Sequence, residues 1–199
     1  MVDNINASLC TDLVYAFATL DGATYKITVF DPTVDIGQQF YSKFVALKNQ
    51  NPKLKTTIAI GGWTDSHNET YPDKYSKMVA SPENRATFIS SVMDFLNIYK
   101  FDGLDLDWEY PMGSSDKAGF AELMKELRSA FGSQYLLSAA VAVNQTIIDL
   151  GKKIISNLLL HYLTSSCLQT GYDVEVMAAN ADYINLMVIA IHCNIFFTK

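Results

Sequence analysis

Short apolar runs alternate along the chain with longer stretches in which apolar residues recur three or four positions apart. The short runs predict strands at Leu13 to Ala18, Lys55 to Ile60, Gly103 to Trp108, Leu136 to Val143 and Tyr183 to Ile189. Between them, Phe40, Phe44 and Leu47 are spaced for one face of a helix over Phe40 to Lys48. Ser81, Pro82 and Glu83 supply an N-cap, a first-turn proline and an acidic first turn ahead of Phe88, Ile89, Val92, Phe95 and Leu96. A further helix over Asp116 to Phe131 carries Phe120, Leu123, Met124 and Leu127, with Gly132 placed to end it. A short one is predicted over Val174 to Ala179. Strands that alternate with helices predict βαβ units and a parallel sheet covered by helices. One segment departs from the pattern: Leu150 to Gln169 packs Ile154, Ile155, Leu158, Leu159, Leu160, Tyr162 and Leu163 into a place where a short connection would suffice. With no internal repeat or linker, residues 1–199 read as one domain.

Composition narrows the function classes. A hydrophobic content of 49% over 199 residues is that of a globular protein. A net charge of −6 and a pI near 4.9 leave no excess of Lys and Arg for phosphates, so nucleic acid is not an expected partner. No stretch has the length of a membrane span, and the N-terminus MVDNINASLC lacks the basic start and apolar run of a secretory signal. Cys10, Cys167 and Cys193 are too few and too scattered for a disulfide framework or a zinc site.

The segment FDGLDLDWEYP, from Phe101 to Pro111, places four acids within eight residues of otherwise apolar sequence. On a strand, Asp105, Asp107 and Glu109 share one face while Leu104, Leu106 and Trp108 share the other. Successive acids are then about 6.5 Å apart along the strand. Three ionised carboxylates so close repel one another, so at least one is expected to hold a proton near neutral pH, with coupled titrations. General acid catalysis requires such a proton. Carboxylates on alternate residues could instead hold magnesium or calcium, or could belong to a solvated edge strand. The apolar opposite face argues against the edge strand.

This segment resembles the DxxDxDxE signature of glycoside hydrolase family 18 chitinases. LCTDLVYAFA (Leu9 to Ala18) and LKTTIAIGGW (Leu54 to Trp63) resemble the family's second and third barrel strands. YLLSAAVA (Tyr135 to Ala142) and GYDVEVMAANADYINLM (Gly171 to Met187) resemble its fifth strand, the following helix and its sixth strand. The resemblance implies a partial TIM (β/α)₈ barrel, about strands 2 to 6 of the eight, from an extracellular enzyme acting on chitin or chito-oligosaccharides without cofactor or metal. Glu109 would be the general acid, sitting outermost at the C-terminal end of its strand. Asp107 would orient the substrate's acetamide and share a proton with Asp105, while the acetamide oxygen itself attacks the anomeric carbon. Trp63, Phe17, Gly61, Gly62, Tyr110 and Met187 would line the sugar site, and Asp102 would shape the start of the strand.

The chain also departs from the family. Nothing before Cys10 resembles the first strand, nothing after Met187 resembles the seventh and eighth, and the segments 150–169 and 188–199 are atypical. Ile189 and Ala190 stand where the family carries Tyr-Asp, so two polar contacts to the acetamide are replaced by alkyl groups. The alternative expectation is therefore a catalytically silent, lectin-like chitin-binding protein or a nonfunctional fragment.

Overall fold

A computed structural model describes residues 2–142 and 171–187. Val143, Ile189, Ala190 and the segments 150–169 and 188–199 lie outside the described residues. The five strands expected from the apolar runs form as β1 (Asp12–Leu20), β3 (Lys55–Gly61), β4 (Gly103–Asp107), β5 (Leu136–Ala142) and β6 (Tyr183–Met187). They pair in parallel, in that order. The helical layer comprises α1 (Phe40–Ala46), α2 (Gly62–Ser66), α3 (Lys74–Ala80), α4 (Pro82–Tyr99), α5 (Gly113–Phe131) and α6 (Val174–Asn180). A mostly parallel sheet flanked by helices, built from consecutive β and α elements, is the expected partial barrel.

Three elements escaped the hydrophobic pattern: β2 (Ile27–Val29), α2 and α3. β2 pairs antiparallel with Ala18–Leu20 of β1. Three residues are too few to show an alternation. The hairpin is closed instead by Asp21, whose carboxylate accepts the amides of Ala23 and Thr24 at 2.8 and 2.9 Å. α3 follows a polar stretch, and Tyr75, Met78 and Val79 are the apolar residues of its buried face, beside Lys74.

The helices cover one face of the sheet with the residues their periodicity selected. Phe88 and Val92 of α4 and Met124 and Leu127 of α5 are fully buried. Burial of each such side chain stabilises by roughly 1.5 to 3 kcal/mol. Of the face expected for α1, Phe44 and Leu47 are buried and Phe40 partly so, and Tyr41 is buried beside them. The reason lies outside the helix, because the Tyr41 ring meets Tyr15, Tyr99 and Phe101 edge-on at 5.0 to 5.3 Å.

Candidate functional site

β4 divides its residues between two environments, as alternation requires. Leu104 and Leu106 are buried against the helices. Trp108 stacks on Tyr75 of α3, with ring centroids 5.6 Å apart and planes inclined by 20°. Asp105 and Asp107 therefore face the concave side of the sheet.

Asp105 is the deepest of the acids, at 4% exposure. Its Oδ1 accepts hydrogen bonds from Ser138 Oγ of β5 and, at 3.0 Å, from Asn185 Nδ2 of β6. Burial raises its pKa, and these two bonds act in the opposite direction. Asp107 is 9% exposed, and its Oδ1 is buried with no hydrogen-bond partner among the described residues. Its carboxyl is pushed up to about 7, first by burial and then by the charges of Glu109 and Asp105. Asp107 thus carries a proton for much of the time at neutral pH, as the repulsion argument requires of the ladder.

Glu109 lies beyond the end of β4 and is half-buried. Its amide donates to Ser66 Oγ of α2 at 3.0 Å. The next residue, Tyr110, has its hydroxyl pKa raised by burial and then by a hydrogen bond to Glu109 and that residue's charge.

The glycines at the end of β3 are fixed by steric necessity. Gly61 has φ = +117°, and a Cβ there would lie 2.1 Å from the carbonyl oxygen of Asp107. Gly62 has φ = +74°, and a Cβ there would meet the Phe17 ring at 2.9 Å. Strict alternation places Phe17 beside Leu13 and Tyr15, yet Tyr15 packs on α1 while Phe17 reaches Gly62. A register shift between Ala16 and Ala18 accounts for the change of direction. Trp63 is 60% exposed and stacks on His67 at 3.8 Å, so one face of this aromatic pair is open to solvent. Met187 ends β6, opposite Ala142 of β5. The residues singled out from the sequence therefore gather toward the C-terminal ends of β1, β3, β4 and β6.

Several neighbours carried no sequence signal. Ser138 meets Asp105 because the two are register partners, and Asn185 arrives from the strand beyond. Tyr172 is 3% exposed, with its hydroxyl 3.5 Å from the carbonyl oxygen of Trp108. Asp102 is bound at the start of β4 by Thr56 N and by Lys48 Nζ, both at 2.8 Å, and so shapes the strand rather than joining the ladder. Among the described residues no group of three or more His, Cys, Asp or Glu is arranged to hold a metal ion. A groove of about 620 Å³ between β2 and α4, lined in part by Lys26, Thr87, Asp94 and Ile98, shares no residue with the carboxylate face.

The family model described as glycosyl hydrolases family 18 matches residues 2–195. The chain belongs to this family. Probable chitinase 10 of Drosophila melanogaster is 41% identical over 172 residues, covering 81% of this chain and 7% of that protein. The crystal structure of Ostrinia furnacalis Group IV chitinase in complex with allosamidin superposes with a TM-score of 0.76 at 34% identity, covering 94% of this chain and 45% of the other. The second catalytic domain of the Group II chitinase of the same insect, in its E2180L mutant form with (NAG)5, gives 0.75 at 39% identity, covering 94% and 44%. This family 18 chain thus spans less than half of those two solved chains.

Proposed function

We propose that the chain forms part of a chitinase-type catalytic domain that cleaves β-1,4-linked N-acetylglucosamine polymers with retention of configuration. The observation that carries this reading is the placement of Asp105 and Asp107 on one face of β4, buried, with Glu109 at the exit of that strand close enough for its charge to act on Asp107. Asp107, pushed up to about 7, keeps a proton in the site at neutral pH. Glu109, outermost and half-buried, takes up that proton from Asp107, leaving Asp107 as the carboxylate, and passes it to the glycosidic oxygen. The substrate's acetamide oxygen attacks the anomeric carbon as the glycosidic bond breaks, and water then opens the resulting oxazolinium with net retention, so no enzyme nucleophile takes part. Asp107, with one unpartnered buried oxygen, orients the acetamide nitrogen and favours the positive charge that develops on it. Asp105, held by Ser138 and Asn185, is the deep partner with which Asp107 shares its proton.

Substrate contacts follow from exposure and position. The open face of Trp63 stacks on a sugar ring, while Phe17, Gly61 and Gly62 form the adjoining wall. Tyr110 and Met187 border the site beside Glu109 and at the end of β6. Structural relatives solved with allosamidin and with (NAG)5 support a chito-oligosaccharide as ligand. A polymeric substrate of this kind is met outside the cell, and an extracellular setting belongs to the same proposal.

Turnover of a fluorogenic N-acetylglucosamine oligomer by the chain and by Glu109→Gln tests the assignment. Loss of the general acid lowers kcat by about 10²-fold or more while oligomer binding persists. Equal turnover by the two proteins removes the reading.

A further inference from the structure

Glu109 lies past the last residue of β4, so the ladder that fixes Asp105 and Asp107 does not extend to it. Its amide finds an acceptor in Ser66, on a helix of five residues that is too short to be stable by its own hydrogen bonds. The residue next to Ser66 explains how that helix is held. Asp65 is 3% exposed and accepts hydrogen bonds from Lys74 Nζ, from Tyr75 Oη at 2.6 Å, from Leu20 N at 3.2 Å and from Thr19 Oγ1. Lys74, equally buried, also donates to the Leu20 carbonyl at 2.8 Å. One carboxylate therefore joins the end of β1, α2 and the start of α3. Tyr75 carries the connection further, because its ring stacks on Trp108, the residue preceding Glu109. A buried ion pair is costly in desolvation, and such pairs are best attested where they fix one arrangement among several.

We propose that Ser66 is a positioning residue for Glu109, and that the Asp65 hub holds Ser66 in place for it. The inference rests on the hydrolase reading only for what Glu109 does, since the positioning itself is a property of the fold. Without the Ser66 oxygen, the Glu109 amide loses its acceptor and the segment from Glu109 to Tyr110 relaxes away from Asp107.

Ser66→Ala and Ser66→Thr, made in the full 199-residue chain, test it. Hydrogen exchange resolved to the Glu109 amide reports the bond, and carbon NMR of labelled aspartate reports the titration midpoint of Asp107. The groups facing Asp107 are Asp105 and Glu109 from β4 and its exit, Tyr110 beside them, Tyr75 from α3 and Tyr172 ahead of α6. All three tyrosine hydroxyls are raised and stay neutral here, so that beyond the larger effect of burial the two carboxylates are the charges that act on the midpoint.

In Ser66→Ala, protection of the Glu109 amide falls about tenfold, as for the loss of one hydrogen bond. The Asp107 midpoint also drops, because the negative charge that helped to raise it has moved away. Ser66→Thr, which keeps a hydroxyl, restores both. Unchanged protection and midpoint in Ser66→Ala overturn the proposal. A chain that shows both responses but has no Glu109-dependent turnover loses the hydrolase reading and keeps the positioning.

Discussion

Asp107 leaves water for an interior position between two other carboxyl groups, and both changes disfavour its charge. The sign of the resulting pH dependence follows directly. Its pKa is raised from 3.8 to about 7 in the native chain, so between these values the folded state binds more protons than the unfolded one. This group's contribution to stability is therefore complete below about pH 4 and is lost as pH rises through 7. The shift corresponds to at most about 4 kcal/mol, and it is not the property of Asp107 alone, since neighbouring charges contribute to it. Asp107→Asn is expected to flatten the fall in melting temperature between pH 4.5 and pH 8 and to melt higher than the parent chain at pH 8. Parallel melting curves for the two proteins across that range would sink the assignment of the proton to Asp107.

At the scale of elements, local chemistry and tertiary contacts contribute separately. α4 begins where Ser81, Pro82 and Glu83 said it should, with Ser81 Oγ accepting the amide of Asn84 at 3.3 Å. Ser81→Ala removes that acceptor and costs about 1 kcal/mol. For a chain of this size the melting temperature is expected to fall by roughly 2 to 4 °C. A calorimetric scan that finds no change shows the cap to be idle. α2 is the opposite case. Nothing in Gly62–Ser66 favours a free-standing helix, and its place depends on Asp65 meeting donors that lie on β1 and α3. α5 starts at Gly113, ahead of the expected Asp116, because the Asp116 carboxylate turns back to accept from Met112 N and from Ser76 of α3.

At the scale of the whole molecule, the sheet does not close among the described residues. β2 pairs only with the last three residues of β1, so the outer edge of β1 from Asp12 to Phe17 has no strand beside it there, and Val14 is 45% exposed. β6 likewise has β5 on one side and no described strand on the other. Unpaired edges of this kind template association with other chains, whereas closure removes them. The isolated chain is expected to self-associate, and Val14→Lys to raise the monomer fraction seen by light scattering on a sizing column. A sharp monomer peak with cooperative melting of the unsubstituted chain contradicts this.

The order of the five parallel strands, the apolar faces of α4 and α5 and the common orientation of Asp105 and Asp107 were all legible in the sequence. Each depends on a periodicity of 2 or 3.6 that neighbouring residues impose on one another. What only the tertiary structure decided depends on residues distant along the chain. The bulge that turns Phe17 toward Gly62, the burial of Tyr41 on α1, and the short strand β2 all answer to a partner element. So does the proton on Asp107: a spacing of two residues brings like charges together, but the burial that contributes most to raising its pKa exists only once β3 and β5 flank β4 in the sheet.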